Sequence, residues 1–477
     1  MGKRSVKDGC SPQGQCGCCT VLIDDDPRVA CVTPLRRVSG RRVTTVEGLT
    51  EEEQSKWAGS FVAHGASQCG FCTPGIVCRF VGHERKGADL GNRETVDRLL
   101  SAHLCRCTGW QTIREAASEV TVDLPSRDLE IATRQASLEA GTTQVIGPQV
   151  VLGRGGFADD ETPDGALVAV RGDSEWHLAD NLHQAREQAG KIQGRRSSLE
   201  PQPPLELPDG NWEVSLRTSW VEPAYLETDA SWCDQVGEPA HPFANGGAFG
   251  GKIESDVSEV ARWLAQENDC TVRVLWSRED VVRYGPKRPP ISAGLRADGT
   301  GMIRLVATPG VAERIQAVLP TCEIEQLTIP GPPTSSALRA AGWAEAEMLR
   351  AGLRGNTDWI TAPSGASARA EVGDELIRVE VNAGTPLDRV MFRSYCIGAA
   401  HMAYSWVTAE GLSVDQDGEV HDLTIRSFGV LRSSDTPHIE IISVGDGPVL
   451  AAGDAVFAAV AAATWLNRGC PPDLPSG

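Results

Sequence analysis

Four cysteines fall within positions 10–19, in "DGCSPQGQCGCCT", and ten of the chain's fifteen precede residue 108. Thiols gathered this closely serve one another, a metal centre or catalysis. Five residues separate Cys10 from Cys16 and two separate Cys16 from Cys19, close to the four-then-two ligand spacing of plant-type ferredoxins. Gly9, Gly14 and Gly17 lie among them, and glycine permits a loop that curls back and turns its N–H groups toward sulfur. The next stretch, "CTVLIDDDPRVACVTP", predicts a hairpin: "TVLID", a turn at Asp25 to Pro27, then "RVACV". Cys19 and Cys31 stand six residues either side of Asp25, so strand pairing brings them together. Cys10, Cys16, Cys19 and Cys31 are assigned as one set of metal ligands, with Cys18 pointing away. A diiron cluster and a zinc knot both remain open on spacing alone.

"QCGFCTPGIVCRF" and "HLCRCTGW" supply a second set, Cys69, Cys72, Cys105 and Cys107. Thr73 and Pro74 read as the N-cap and first residue of a helix, so the first pair precedes one. "RETVDRLLSAHL" carries Val96, Leu99, Leu100 and Leu104 at helical spacing, so the second pair follows another. If these helices run antiparallel, four thiolates converge at one end of a small bundle, again around iron or zinc. Cys78 belongs to the core. The isolated Cys233, Cys270, Cys322, Cys396 and Cys470 read as small buried apolar side chains.

The elements that must position these thiols have ample chain to draw on. The sequence has 477 residues, 41% of them hydrophobic, enough for roughly three domains with their own cores. Its 50 glycines and 29 prolines make it loop-rich without reaching the composition of disordered chains. A net charge of −19 argues against nucleic acid or an anionic membrane as a partner. No apolar run approaches the ~20 residues of a membrane span, and "MGKRSVKDGC" lacks the apolar core of a signal peptide. The compartment this predicts is the reducing cytoplasm, where clustered cysteines hold metal more often than they form disulfides.

In this order, "GCSPQGQCGCCTVLIDD", "RVACVTP", "TTVEGL", "QCGFCTPG" and "HLCRCTGW" resemble the iron–sulfur region of the molybdenum hydroxylases, the xanthine dehydrogenase and aldehyde oxidase family. The resemblance implies two [2Fe–2S] clusters, a plant-type one on Cys10, Cys16, Cys19 and Cys31 and one in a helical domain on Cys69, Cys72, Cys105 and Cys107. It sets the zinc reading aside and places Gln68 against a pterin cofactor. "VVLGRGGFADDETPDGALVAV", followed by a helix at "ADNLHQAREQAGKIQ", is similar to the start of the family's hammerhead domain. "VEPAYLETDASW" is similar to the strand opening the molybdenum-binding region. "NGGAFGGK" resembles the glycine loop lining molybdopterin, which would put Gly247, Phe249 and Gly250 at the cofactor. Taken alone, Gly246 to Lys252 also fits the phosphate-loop pattern, but Ile253 stands where Ser or Thr would hold magnesium. "ALRAAGWAEAEML" resembles the family's arginine loop and places Arg339 near substrate, where its paired donors suit an anionic or carbonyl group. His401, inside an apolar helix, reads as a core residue.

The fold class so implied is multidomain α+β. A truncated β-grasp ferredoxin-like domain spans 1–45, a four-helix-type [2Fe–2S] domain 46–120, and a linker or exposed helix 121–145. A hammerhead-like domain follows at 146–205 and a shortened molybdopterin-binding α+β domain at 206–477. Only nine residues precede Cys10, so the opening strands of the β-grasp sheet would be missing and an edge left unpaired. The family's base is a glutamate in a GxGE-like motif; here "VGDGPVL" offers Asp446, one methylene shorter.

The resemblance implies hydroxylation of an aldehyde or N-heterocycle, with oxygen from water and molybdopterin, in its dinucleotide form, as cofactor. Electrons would leave singly through the two clusters. The chain has no flavin fingerprint and no FAD site is expected, so a flavoprotein or other acceptor would be the partner besides the small-molecule substrate. A homo-oligomer is compatible with this reading. The other reading is an electron-transfer or accessory iron–sulfur protein whose molybdenum domain has lost its chemistry.

Overall fold

The computed structural model describes residues 4–120, 127–191, 194, 199–241 and 245–476. A small antiparallel sheet comes first, with strands β1 (Thr20–Ile23), β2 (Asp26–Val29) and β3 (Val43–Thr44) in the order β2-β1-β3. Its two-residue turn is Asp24–Asp25, both at positive φ, the geometry that matches hairpin twist. The predicted turn therefore sits too late. Pro27, which donates no ladder hydrogen bond, is tolerated because β2 is an edge strand. "RVACV" leaves the sheet at Val29, where Ala30–Val32 forms a 3₁₀ turn. The Ala30 N–H donates to the Cys19 carbonyl (3.2 Å), so the turn still delivers Cys31 beside Cys19.

Four helices follow, α1 (Glu51–His64), α2 (Thr73–Glu84), α3 (Arg93–Leu100) and α4 (Gln111–Ser118). A Thr50–Glu53 capping box starts α1, and Gly65 in the left-handed region ends it. Helix α2 begins one residue earlier than expected: Cys72 is the N-cap and Thr73 already helical. The Thr73 hydroxyl bonds Ser67 Oγ (3.1 Å) instead of capping the backbone. Leu104 is buried, but in the loop beyond α3 rather than on it. Trp57 and Phe80 stack with ring centroids 5.3 Å apart in the core of this bundle.

Residues 121–126 lie outside the described residues. The rest of the expected linker contains α5 (Leu129–Ala140), which is not an exposed helix. It buries Ala132, Gln135, Ala136 and Glu139, and packs on the long helix Arg389–Ala409.

Among the described residues of the remainder, three larger sheets carry the architecture. One has the order Trp176–Ala179, Leu167–Arg171, Val272–Leu275, Ala230–Cys233, so it takes two strands from each side of the boundary expected at 205/206. The helix expected over "ADNLHQAREQAGKIQ" is confined to Leu182–Gln188, with residues 192–193 outside the described residues. A five-stranded sheet runs Cys322–Leu327, Gly301–Val306, Ile291–Leu295, Val214–Thr218, Asp473–Leu474. In the last, Ser367–Val372 and Leu376–Asn382 alternate inward Ala368, Ala370, Ile377, Val379 and Val381 with outward charge, and Arg369 pairs across the strands with Glu380. Between this last sheet and helices Arg389–Ala409 and Trp343–Arg354 lies the alanine-rich helix Gly453–Asn467, buried along nearly its whole length because small side chains permit close approach. Among the described residues no helix is long and apolar enough to cross a membrane.

His401 is fully buried, and desolvation drives its pKa down to about 3, so it is a neutral core residue. Cys78, Cys233, Cys322 and Cys396 are buried as expected. Cys270 and Cys470 are only half-buried, because each sits in the turn leaving a helix.

Candidate functional site

Cys10, Cys16, Cys19 and Cys31 come together. Sγ–Sγ hydrogen bonds link Cys10 to Cys16 and Cys31, and Cys31 to Cys19. Backbone N–H groups of Gln13 and Cys31 point at the sulfurs of Cys10 (3.3 Å) and Cys19 (3.5 Å). These contacts hold Cys10 and Cys19 toward the thiolate, while the shared hydrogen bonds push Cys16 and Cys31 upward. Cys18 does not point away: it bonds Cys16 and lies near enough to Cys105 and Cys72 to sense both.

The second set converges as two pairs. Cys107 Sγ lies 3.5 Å from Cys69 Sγ, and Cys72 bonds Cys105. Hydrogen bonds from Cys72 and Thr108 bring Cys105 down to about 6, whereas the partner thiol and burial raise Cys72 and Cys107. Arg106, between the two cysteines, is drawn the other way by a buried two-pronged bond to Glu410 (2.5 and 2.7 Å). Cys105 and Cys107 thereby face α2. Among the described residues no three His, Cys, Asp or Glu side chains surround one point as a single ion requires. The two thiol pairs of the second set fit a diiron cluster, which takes two thiolates at each iron, and a positive centre there would relieve the crowding of like charge. The two sets are also joined: the Leu104 N–H, beside Cys105, donates to the Cys16 carbonyl (2.9 Å).

A cavity of about 240 Å³ adjoins the second set, and a larger one of about 600 Å³ lies beyond it, sharing Ala140, Gly141, Phe249, Gly250 and Ile253 in its walls. Gln68, Cys69, Cys107 and Gly247 line the smaller. The Gln68 amide donates to the Cys107 carbonyl (3.1 Å) and Ser394 Oγ (2.9 Å). Gly247, at φ +80°, passes so close to the second cysteine set that a Cβ would stand 2.9 Å from Cys69 Cβ. Only glycine satisfies both the dihedral and the space. Asn245 fastens this loop by donating to the Cys69 carbonyl (2.9 Å) and accepting from the Val145 N–H (2.8 Å). The loop is thus a backbone wall able to approach an anionic cofactor. It is not a phosphate loop: Lys252 is buried against Glu227 (2.6 Å), and the next helix starts only at Val257.

Arg339 lines the larger cavity, its guanidinium 5.2 Å from the Phe249 ring and its nearest carboxylate, Asp454, 3.8 Å away. Asp446 does not join it. Asp446 is exposed on the loop after strand His438–Ser443 and lines neither cavity. Backbone bonds from Thr385 to Gly447 and from Leu450 to Ala383 hold that loop against the neighbouring chain. Two carboxylates line the cavity with Arg339, the half-exposed Asp454 and the buried Glu139 on α5. Glu139 is the one removed from water. It accepts from the Ala452 N–H (3.0 Å) and Gln135 Nε2 (3.1 Å), and burial raises its pKa to about 7. Sequence reasoning missed Glu139, Asn245 and Tyr395, which lines the smaller cavity and donates to Gln144 Oε1 (2.8 Å). A signal for Glu139 was present, since Ala132 and Ala136, four residues apart, mark a face that packs closely.

The [2Fe-2S] binding domain family matches residues 45–118. Aldehyde oxidoreductase of Megalodesulfovibrio gigas is 39% identical over 142 residues, a match taking in 27% of this chain and 15% of that one. The small FeS subunit of nicotinate dehydrogenase from Eubacterium barkeri is 37% identical over 117 residues, 24% of this chain and 73% of the subunit. The solved aldehyde oxidoreductase from Desulfovibrio gigas shares the fold over 97% of this chain and 93% of that one, with a TM-score of 0.69 at 14% identity. The chain belongs to the molybdenum hydroxylase family.

Proposed function

We propose that the chain is a molybdopterin-dependent oxidoreductase that hydroxylates an aldehyde or N-heterocycle and passes the electrons through two [2Fe–2S] clusters to another protein. The observation that carries this reading is the opening of the Cys69–Cys107 pair directly onto the glycine-walled cavity. A two-electron centre held there would need no further relay to reach the second cluster. That cofactor, when bound, supplies a two-electron acceptor and transfers an oxygen derived from water to carbon. Gln68, Gly247, Phe249 and Gly250 would hold it, in the dinucleotide form we expect. Arg339 would orient the substrate's carbonyl or anionic group through its N–H donors. Among the carboxylates that could take up the proton, Glu139 is buried in the cavity wall and Asp454 stands at its exposed side, whereas Asp446 holds only the motif position. The Leu104–Cys16 hydrogen bond supports transfer from the helical-domain cluster on Cys69, Cys72, Cys105 and Cys107 to the plant-type cluster on Cys10, Cys16, Cys19 and Cys31.

The second reading, an electron-transfer protein with an inactive molybdenum region, draws on the exposure of Asp446. Molybdenum analysis with a dye-linked screen of aldehydes, purines and N-heterocycles separates the two. One molybdenum per chain and turnover of any substrate class supports hydroxylation, and protein holding iron but no molybdenum supports electron transfer alone.

A further inference from the structure

His103 is fully buried where the two thiol sets meet, and neither set nor the cavities use it. It stands in the loop between α3 and Cys105, and the next residue, Leu104, makes the backbone bond to the Cys16 carbonyl. Its ring lies against Gly17, in the middle of the first set: a Cβ on Gly17 would stand 2.7 Å from His103 Nδ1. From α2, Arg79 Nε donates to His103 Nε2 (3.3 Å). A guanidinium only donates, so Nε2 is the acceptor, the imidazole is neutral and its proton sits on Nδ1. That Nδ1–H has no partner among the described residues. An N–H left unpaired in the interior is destabilising, so a group that accepts from it belongs beside Gly17.

Charge around the two sets differs in the same sense. Arg426 donates to the carbonyls of Gln15 (2.8 Å) and Ser101 (2.9 Å). It and Arg79 are half-buried on the side of the first set, and neither meets a carboxylate among the described residues. Beside the second set, Arg106 is neutralised by Glu410. We propose that the His103 Nδ1–H donates to the sulfur of the plant-type cluster and, with Arg79 and Arg426 behind it, stabilises the reduced form of that cluster relative to the helical-domain one. This rests on the iron–sulfur reading above. In the transfer the reduced helical-domain cluster loses one electron and returns to the diferric state, and the plant-type cluster gains that electron. Reduction adds negative charge to the sulfurs, so a fixed donor bonds the reduced form more strongly and raises the potential.

The test uses the full chain with both clusters present and its histidines isotopically labelled at nitrogen. In the dithionite-reduced parent, pulsed electron paramagnetic resonance should show a coupling to histidine nitrogen on the plant-type signal, and His103→Phe should remove it. In redox titrations of the two signals, His103→Phe should lower the plant-type potential by at least a ten-fold change in electron partition, about 59 mV for one electron. The helical-domain potential should stay unchanged. His103→Asn, which puts an amide N–H near the Nδ1 position, should recover most of the loss. A parent without that coupling, an unmoved potential in His103→Phe, or an equal shift of both clusters overturns the assignment. Because the coupling is read on the parent chain, it decides even where the Phe variant fails to assemble its clusters. If no cluster signal appears even in the parent, the iron–sulfur reading falls and this inference with it.

Discussion

The thiol-bearing N-terminal region and the cavity-bearing remainder contrast in how their sites are assembled. In the first, the eight cysteines expected as ligands lie together in two sets joined by one backbone hydrogen bond. In the second, the glycine loop and Arg339 reach the cavity, Asp446 stays outside, and Glu139 arrives from α5, hundreds of residues from Arg339 in sequence. Sites built from short loops beside their own helices are carried by spacing. Sites assembled from distant elements depend on packing that spacing does not encode.

Breaking one thiol set should have the largest effect and leave the other intact. Cys107→Ser is expected to abolish the helical-domain cluster signal in electron paramagnetic resonance and lower dye-linked turnover by about 10³-fold or more, with the plant-type signal retained. Next, Arg106→Ala strips the buried Glu410 of its partner and should cost about 3–5 kcal/mol in denaturant unfolding. The cavity side is sharpened by a pair: Glu139→Gln should lower kcat about 10²-fold, whereas Asp446→Asn should change it less than about three-fold.

The same pair carries a pH signature. Burial raises the Glu139 pKa from 4.5 to about 7, so the folded chain keeps a proton that the unfolded chain gives up. Its contribution to stability is complete below pH 4.5 and is lost as pH rises through about 7. Thermal melts of Glu139→Gln should lack that decline, and kcat of the parent should rise across the same window. The smallest effect is expected of Gly247→Ala, roughly 1–3 kcal/mol from a strained φ and contact with Cys69, seen as a shifted helical-cluster spectrum.

Much of this architecture was legible in the sequence because it is local. The hairpin after Cys19, the helices flanking Cys72 and Cys105, and the glycine loop each declare themselves within a dozen residues. The turn at Asp24–Asp25 and the start of α2 moved by a residue or two, since side chains such as Thr73 found tertiary partners instead of local caps. Helix α5 read as an exposed linker because its polar Gln135 and Glu139 satisfy one another and the Ala452 N–H inside the protein, which no periodicity reveals. The boundary expected at residue 205 likewise missed a sheet whose strands pair across it.

The most direct test counts iron and acid-labile sulfide in the full chain purified anaerobically, alongside its electron paramagnetic resonance after reduction. Two sets of four thiols, each holding a diiron cluster, predict about four irons, four sulfides and two distinct S = 1/2 signals per chain. A preparation with one zinc per set, or without iron when made alongside cluster-assembly machinery, would contradict the account.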